Sequence, residues 1–297
     1  MQPAEKYLII GIQDTGGITM AKRKNAGTPL KYTWKSDVLF KMIFVKYPDL
    51  LKRLVCVLLG IDYATVEAFS VVNGDIPPDE VGKKFCRLDV NMVIDGKRVN
   101  LEIQVQDEGN FPERLLYHWA REYSSALPAG DDYSTLPKTI IVSIVDFIMF
   151  NCDEAHSEFQ ALEVKRHTPI SDKFNVHIFE LPKIAELSQL DMPSEKDLWL
   201  ALFNAETEEE LQALEGTEVE IMTQAVTAYR SVSATDEFRA LENRREKTRR
   251  DEAQALYNAA YREKLRTART MLADGLSLEQ IAKYADLSIE EIERIQR

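Results

Sequence analysis

The sequence predicts an α/β fold followed by an all-helical region at the carboxyl end of the chain. Three observations support this fold class. A two-strand hairpin with alternating apolar residues occupies residues 85–106, a nearly continuous apolar run suited to a buried strand occupies 138–150, and only helical spacing follows Pro182. Strands mixed with helices early in the chain, and helices alone later, are typical of a helix-flanked sheet with a helical extension.

The first predicted element is a pair of helices within residues 34–59, where apolar residues recur at helical spacing. Ser36 or Asp37 can cap the first helix, Pro48 separates the two helices, and Gly60 ends the second. The other predicted elements are a strand over 64–72, a loop around 73–80, a helix over 112–127, a strand over 174–181, and helices over 183–189, 194–204, 206–229 (in pieces), 236–273, 277–284 and 288–296.

The hairpin is the most informative stretch because its register decides which side chains oppose one another. With Asp95-Gly96 as a two-residue loop, the numbers of paired residues add up to 191. Apolar residues then share one face, and a slip by one residue would expose them. On the other face Asp89 stands directly opposite Glu102, and Arg87 stands opposite Gln104.

Two directly opposed carboxylates repel each other. A hard divalent cation such as Mg²⁺ relieves this repulsion, and it can also polarise a phosphoryl oxygen and lower the pKa of a bound water. Arg87 would then contact a phosphate, and Gln104 would orient a water. The alternative is the solvated polar face of an antiparallel sheet, with the acids separated by side-chain rotation. The pattern alone leaves both interpretations open.

Composition and charge exclude several classes of protein. The 297 residues contain 37 basic and 49 acidic side chains, a balance of −12 that disfavours a non-specific nucleic-acid coating protein but leaves local or metal-assisted binding open. No apolar run approaches the roughly 20 residues of a membrane span. Three widely separated cysteines argue against a disulfide framework and a zinc site, and they indicate a reducing cytoplasm.

Several segments after about Lys31 together resemble a known family. They include SDVLFKMIF (36–44), NLEIQVQ (100–106), RLLYHWAREYSSAL (114–127), GDDYSTLPKTIIVSIVDF (130–147) and ARTMLADGLSLEQIAKYADLSIEEIERI (268–295). In order and spacing they resemble the Rpn family of recombination-promoting nucleases, also described as PD-(D/E)XK nuclease family transposases. The resemblance implies a restriction-endonuclease-like mixed sheet flanked by helices. It also implies DNA cleavage with Mg²⁺ or another divalent cation, in recombination, mobile elements or phage defence of a prokaryotic cell.

The resemblance also implies roles for individual residues. Asp89 matches the family's hairpin aspartate and Glu102 its second metal-binding acid, while Gln104 stands where the wider superfamily has lysine. Glutamine occurs there in Rpn-like proteins, but it lacks the ammonium group that would stabilise developing charge. Asp37 matches an early acid of the family and is a candidate third metal ligand; its alternative is a helix N-cap.

The helix after the hairpin carries Arg114, Tyr117 and Arg121 on one face. This face could contact a DNA backbone through the two arginines. The alternative is a solvated face with Tyr117 half in the core.

The predicted organisation has three parts: a peripheral or disordered segment over 1–30, a nuclease-like core over 31–190, and a helical tail over 191–297. The codons of Gly16-Gly17 can form a purine-rich ribosome-binding sequence just upstream of the codon for Met20. We therefore expect the natural translation start at Met20. In the tail, the run NRREKTRR with interleaved acids indicates a solvated helix, a helical hairpin or a dimerisation arm that would make a homo-oligomer.

The last two predicted helices have the spacing of a helix-turn-helix pair. The second of them carries Glu290, Glu291 and Glu293, which would repel DNA, so a packing or partner-binding module is preferred over a DNA-reading one. For the whole chain, the leading function is a metal-dependent DNA endonuclease. The alternatives are a catalytically weak or inactive nuclease-fold protein that regulates by binding DNA or protein, and an assembly protein that acts through its tail.

Overall fold

The computed structural model describes residues 27–72 and 90–296 of the chain. The expectations for residues 1–26, including the start at Met20, lie outside the described residues. So do those for 73–89, which include Arg87 and Asp89.

A six-stranded mixed sheet forms the centre of the described structure. Its spatial order is β1-β2-β3-β4-β6-β5. The pairs β3–β4 and β4–β6 are parallel, and the other neighbouring pairs are antiparallel. The strands are β1 (Phe69–Val71), β2 (Val90–Ile94), β3 (Lys97–Gln104), β4 (Thr139–Val145), β5 (His156–Gln160) and β6 (Phe174–Glu180).

The β2–β3 hairpin has the expected register throughout its described part. Val90 pairs with Leu101, and Ile94 pairs with Lys97. The loop residues Asp95 and Gly96 have φ angles of 46° and 75°, as a tight two-residue turn between twisted strands requires.

The helices largely follow the apolar spacing of the sequence. Pro48 opens the second helix, and Gly60 ends it with a φ of 66°. The helices are α1 (Asp37–Lys46), α2 (Pro48–Leu59), α3 (Phe111–Ser125), α4 (Glu195–Asn204), α5 (Glu208–Glu215), α6 (Glu220–Ser233), α7 (Asp236–Ala273), α8 (Leu278–Ala285) and α9 (Ile289–Gln296).

Some elements differ from the sequence predictions. The prediction of a helix over 183–189 is wrong, because this region contains two short 3₁₀ helices, Leu181–Lys183 and Leu187–Gln189. The strand expected over 138–150 ends at Val145. Strand β5 was not predicted, because its sequence HSEFQ forms a largely exposed sheet edge and has no run of alternating apolar residues.

The two faces of the sheet are covered by different helices. One face, with Val99 and Leu101, packs in a large core with α1, α2, α4, α5 and α6. The other face packs against α3, where Phe111 and Leu115 contact the side formed by Ile141. Because side chains alternate along a strand, the polar residues of β3 face the α3 side of the sheet.

The large core continues past the domain boundary expected at residue 190. Trp199 of α4 and Phe238 of α7 are both part of it. A second, smaller cluster unites the end of α7 with α8 and α9, and Ile281 and Ile292 are its buried centre. Near the amino end of the described residues, the backbone amide of Leu30 donates to the carbonyl of Glu206 at 2.8 Å. No described helix has the length and apolarity needed to cross a membrane.

Candidate active site

A line of polar side chains on the α3 side of the hairpin forms the candidate site. Asn100 donates from Nδ2 to Oδ1 of Asn91 at 2.5 Å across the two strands. Two residues further along β3 lies Glu102, which is 4% exposed. The parallel pairing of β3 with β4 places Ser143 beside it, and Ser143 Oγ donates to Glu102 Oε1 at 2.7 Å.

The burial of Glu102 has a chemical consequence. A carboxylate removed from water is costly unless hydrogen bonds or a cation compensate its charge. Ser143 supplies one such hydrogen bond and also fixes the orientation of the carboxylate. Glu102 is therefore held in place at a position where a divalent cation would be stabilised by its negative charge.

Gln104 lies on the same face as Glu102, at the end of β3. Its Nε2 group donates to the backbone carbonyl of Gln106 at 2.8 Å. One N–H group of the Gln104 amide is thus already hydrogen-bonded within the chain. To orient a water molecule, Gln104 would use its amide oxygen or its second N–H group, or the bond to Gln106 would have to break.

The carboxyl end of β3 is tied to the start of α1 by a second polar cluster. Asp146, directly after β4, donates its backbone N–H to the carbonyl of Gln104 at 2.9 Å. Its side chain accepts from Lys35 Nζ, also at 2.9 Å. Sequence reasoning did not select either residue, although an acid directly after a buried strand was a usable signal. The cluster positions the amino end of α1 beside the sheet edge that carries Gln104.

The carboxylate of Asp37, a predicted metal ligand, forms ion pairs with two arginines of α7. Arg245 of α7 donates from Nε to Asp37 Oδ2 at 2.8 Å, and Arg249 donates to Oδ1 at 3.0 Å. The N-cap of α1 is Ser36, which accepts from the amide of Leu39. Both carboxylate oxygens of Asp37 are thus bound by arginine, and metal binding would require these ion pairs to break.

The contact between α1 and α7 includes a second acid. Ser36 Oγ donates to Glu242 Oε2 at 2.8 Å. Burial, followed by the nearby charge of Asp37, raises the pKa of Glu242, although the hydrogen bond from Ser36 opposes the shift. These contacts anchor the first turns of α7 on α1.

A buried lysine was also missed by the sequence reasoning. Lys41 on α1 is only 2% exposed, and no hydrogen-bond or ion-pair partner for it is found within residues 27–72 and 90–296. Its sequence signal was its position inside the apolar segment VLFKMIF. Its Nζ atom is not among the fully buried, unpartnered nitrogens of the described residues, so the stem packs in the core while the ammonium reaches solvent.

The predicted basic face of α3 is only partly accessible. The Arg114 side chain is 20% exposed, pairs with Glu108 and lies over the Phe111 ring. Two of its nitrogens, Nε and Nη2, are buried and have no hydrogen-bond partner in the described part of the chain. Arg121 is exposed, and Tyr117 is 64% exposed rather than half in the core.

The structure therefore brings together only part of the predicted site. Glu102 and Gln104 share one face of β3, whereas Asp37 is bound to α7. Asp89 and Arg87 lie outside the described residues. Within those residues no three His, Cys, Asp or Glu side chains are arranged to hold a metal ion. The carboxylate of Glu102 is of the hard oxygen type that Mg²⁺ prefers, but a cation there needs a second ligand from elsewhere.

Comparison with known proteins agrees with this architecture. A family model described as PD-(D/E)XK nuclease family transposase matches residues 34–259. The match extends from the start of the α1 region into α7 and includes the whole described sheet. The mixed sheet flanked by helices is consistent with a restriction-endonuclease-like fold, which confirms the predicted fold class. The comparisons with curated proteins and with solved structures each gave no match.

Proposed function

The chain belongs to the PD-(D/E)XK nuclease family transposases, and on this basis we propose that it is a metal-dependent DNA endonuclease that hydrolyses phosphodiester bonds. The observation that carries the proposal is the buried Glu102, which is oriented by Ser143 on the second strand of the hairpin. Recombination, element mobility and phage defence are the settings in which we expect such an activity.

The proposal gives each residue of the site a distinct task. Glu102 binds the cation, and Ser143 keeps its carboxylate in one orientation. Asp89 is the second metal-binding carboxylate by the sequence prediction. A bound Mg²⁺ or similar cation would polarise a phosphoryl oxygen and acidify a water. Gln104 would orient the attacking water through its amide oxygen, while its Nε2 group remains on the carbonyl of Gln106.

A second candidate function is a nuclease-fold protein that binds DNA or protein without cutting. The observation that favours it is Gln104, which offers no ammonium group and already donates to the backbone. Catalysis without that positive charge would lose part of the electrostatic stabilisation of the transition state. Cleavage assays separate this candidate from the first.

The test is cleavage of supercoiled plasmid by the purified full chain, with Mg²⁺ and with EDTA. Glu102→Gln keeps an acceptor for Ser143 and removes the charge, so the fold should survive while cleavage falls by about 100-fold or more. Glu237→Gln on the exposed first turn of α7 is the matched control, and it should cut as the wild type does. Equal cleavage by both variants would reject the site assignment.

Metal binding gives a readout that does not depend on turnover. Mn²⁺ titrated into the wild type, followed by electron paramagnetic resonance, should show a bound ion that Glu102→Gln binds much more weakly. Absence of divalent-ion binding together with absence of cleavage, in protein shown to be folded, would favour the non-cutting candidate.

A further inference from the structure

The long helix α7 is exposed along most of its length. It has 38 residues, which corresponds to about 57 Å. Its buried residues are Phe238 and Leu241 near the beginning and Ala268 near the end. Between these two packed ends the helix is exposed on all sides, with Leu256 and Tyr257 as its large exposed apolar side chains, so its surface is accessible to a partner.

The charge of this helix is opposite to that of the rest of the chain. From Arg244 to Arg269 there are nine Lys or Arg residues and four Asp or Glu residues, a balance of +5. The whole chain carries −12, so the remaining residues carry −17. Positive charge in an acidic protein is thus concentrated on one exposed element.

Some of these cations are bound within the chain. Arg245 and Arg249 bind Asp37, and Lys264 binds Asp286. Others form only intrahelical pairs between well-exposed side chains, as Arg250 does with Glu246 and Arg266 does with Glu263, and such pairs contribute little.

The cations that remain share one side of the helix. Arg244, Lys247, Arg262 and Arg269 are exposed and have no ion-pair partner among residues 27–72 and 90–296. Arg244 and Arg262 lie about five full turns apart, and the other two fall within about 60° of them. Asp251 is an acid in the same sector. We call these four residues the cationic face of α7.

The length and position of the cationic face fit duplex DNA. Arg244 and Arg269 are separated by about 37 Å of helix, close to one turn of B-form DNA. The Asp37 ion pairs anchor the first turns of α7 on α1. The start of α1 is in turn tied to the sheet edge that carries Gln104 through Lys35 and Asp146.

We infer that the cationic face of α7 binds the phosphate backbone of duplex DNA and leads the duplex to the sheet edge of the candidate site. The inference rests on the proposed function for its choice of DNA as the partner. Guanidinium groups form charge-assisted hydrogen bonds with phosphate. The four residues of the cationic face form two pairs, Arg244 with Lys247 and Arg262 with Arg269, near the two ends of the exposed stretch, so each pair would contact a separate part of the duplex backbone. Such phosphate contacts would provide affinity without base selection.

The test is the affinity of the full chain for a fluorescent duplex of about 25 base pairs, measured in EDTA at several KCl concentrations. The variant Arg244→Gln/Lys247→Gln/Arg262→Gln should bind about 10- to 100-fold more weakly near 0.1 M salt. Its slope of log affinity against log salt should be smaller by about 3, because each lost phosphate contact contributes about 0.9.

A matched control removes the same charge elsewhere. Lys31→Gln/Lys46→Gln/Lys165→Gln also replaces three exposed cations, and it should change the affinity by less than about 3-fold and leave the slope nearly unchanged. Equal losses in the two triple variants would overturn the inference, because net charge would then explain binding. Displacement of the duplex by polyglutamate at equal charge concentration would also overturn it, in favour of an acidic protein partner.

The outcome is separable from that of the proposed function. Glu102→Gln should bind the duplex in EDTA as the wild type does, even though it does not cut. A wild type that binds through α7 but never cleaves would contradict the proposed function and leave the cationic face in place. If the wild type cuts, and the triple variant Arg244→Gln/Lys247→Gln/Arg262→Gln cuts equally well with unchanged affinity, the inference alone is contradicted.

Discussion

Asp37→Asn is the perturbation that best separates two roles for this acid. The sequence resemblance suggests a metal ligand, whereas the structure shows an ion pair that fastens α7 to α1. The substitution keeps the size of the side chain and one oxygen acceptor but removes the charge. If Asp37 is an anchor, the protein loses stability. If Asp37 is only a metal ligand, stability is kept and metal-dependent cleavage is lost.

The magnitude follows from the burial of the partners. The side chains of Asp37 and Arg245 are each 17% exposed, and that of Arg249 is 43% exposed. Exposed ion pairs contribute at most about 1 kcal/mol, while loss of one partner from a fully buried pair costs about 3–5 kcal/mol. The intermediate burial here predicts a loss of about 2 kcal/mol in the free energy of unfolding.

The assay is urea unfolding followed by circular dichroism. With an m-value of about 3 kcal/mol per molar, a loss of 2 kcal/mol lowers the midpoint by about 0.7 M. A double-mutant cycle with Arg245→Gln should give a coupling energy of about 1–2 kcal/mol, as expected for groups in direct contact. Asp49→Asn, an exposed first-turn acid of α2, is the control and should stay within about 0.5 kcal/mol.

One result would refute the anchor reasoning. It is an Asp37→Asn protein with the wild-type midpoint, no coupling to Arg245, and lost binding of Mn²⁺. That combination would support Asp37 as a metal ligand. Its ion pairs with Arg245 and Arg249 would then have to break when the cation binds.

Three further predictions concern buried charges. Lys41→Met should leave the free energy of unfolding within about 1.5 kcal/mol of the wild-type value in urea titrations, because the apolar stem of this lysine packs in the core and methionine can replace it; a clear loss would contradict this. In the wild type the Lys183 ammonium forms an ion pair with Glu180 at 2.7 Å. Glu180→Gln removes the negative charge of this buried pair and should lower the free energy of unfolding by about 3 kcal/mol in the same titration. A loss below about 1 kcal/mol would show that the ion pair does not stabilise the fold. Burial lowers the pKa of His177 to about 4, so the unfolded state, with a pKa near 6.5, binds more protons between these values. Stability should therefore fall by about 2 kcal/mol as the pH drops from 6.5 to 4, and His177→Gln should flatten this dependence in pH-series melts unless His156 alone produces it.

Local periodicity made most of the fold predictable. The hairpin register depends on alternation and on the Asp95-Gly96 turn, both of which are properties of neighbouring residues, and the structure has this register from Val90 to Ile94. The long helix was predicted over 236–273 and is observed at Asp236–Ala273. The exposed edge strand β5 escaped prediction because its pairing with β6 is a long-range contact that leaves little trace in its own composition.

The candidate site was predictable only where it lies within one element. Glu102 and Gln104 follow from the alternation along β3, but the bond from Ser143 to Glu102 depends on how β4 aligns with β3. The predicted role of Asp37 as a metal ligand could not take its ion pairs into account, because its partners are distant in the chain. Its arginine partners lie more than 200 residues away, and no local pattern reports such a pairing.

The sequence by itself determined the fold class, the order and phase of its main elements, and the polar face of the hairpin, because helix and strand periods and turn geometry act over a few residues. The tertiary structure alone decided which charges meet. It buried Glu102 and Lys41, bound Asp37 to α7, and left the cationic face of α7 without an ion-pair partner among the described residues. The physical reason is that burial and ion pairing depend on which surfaces pack together, and packing unites residues that are far apart in the chain.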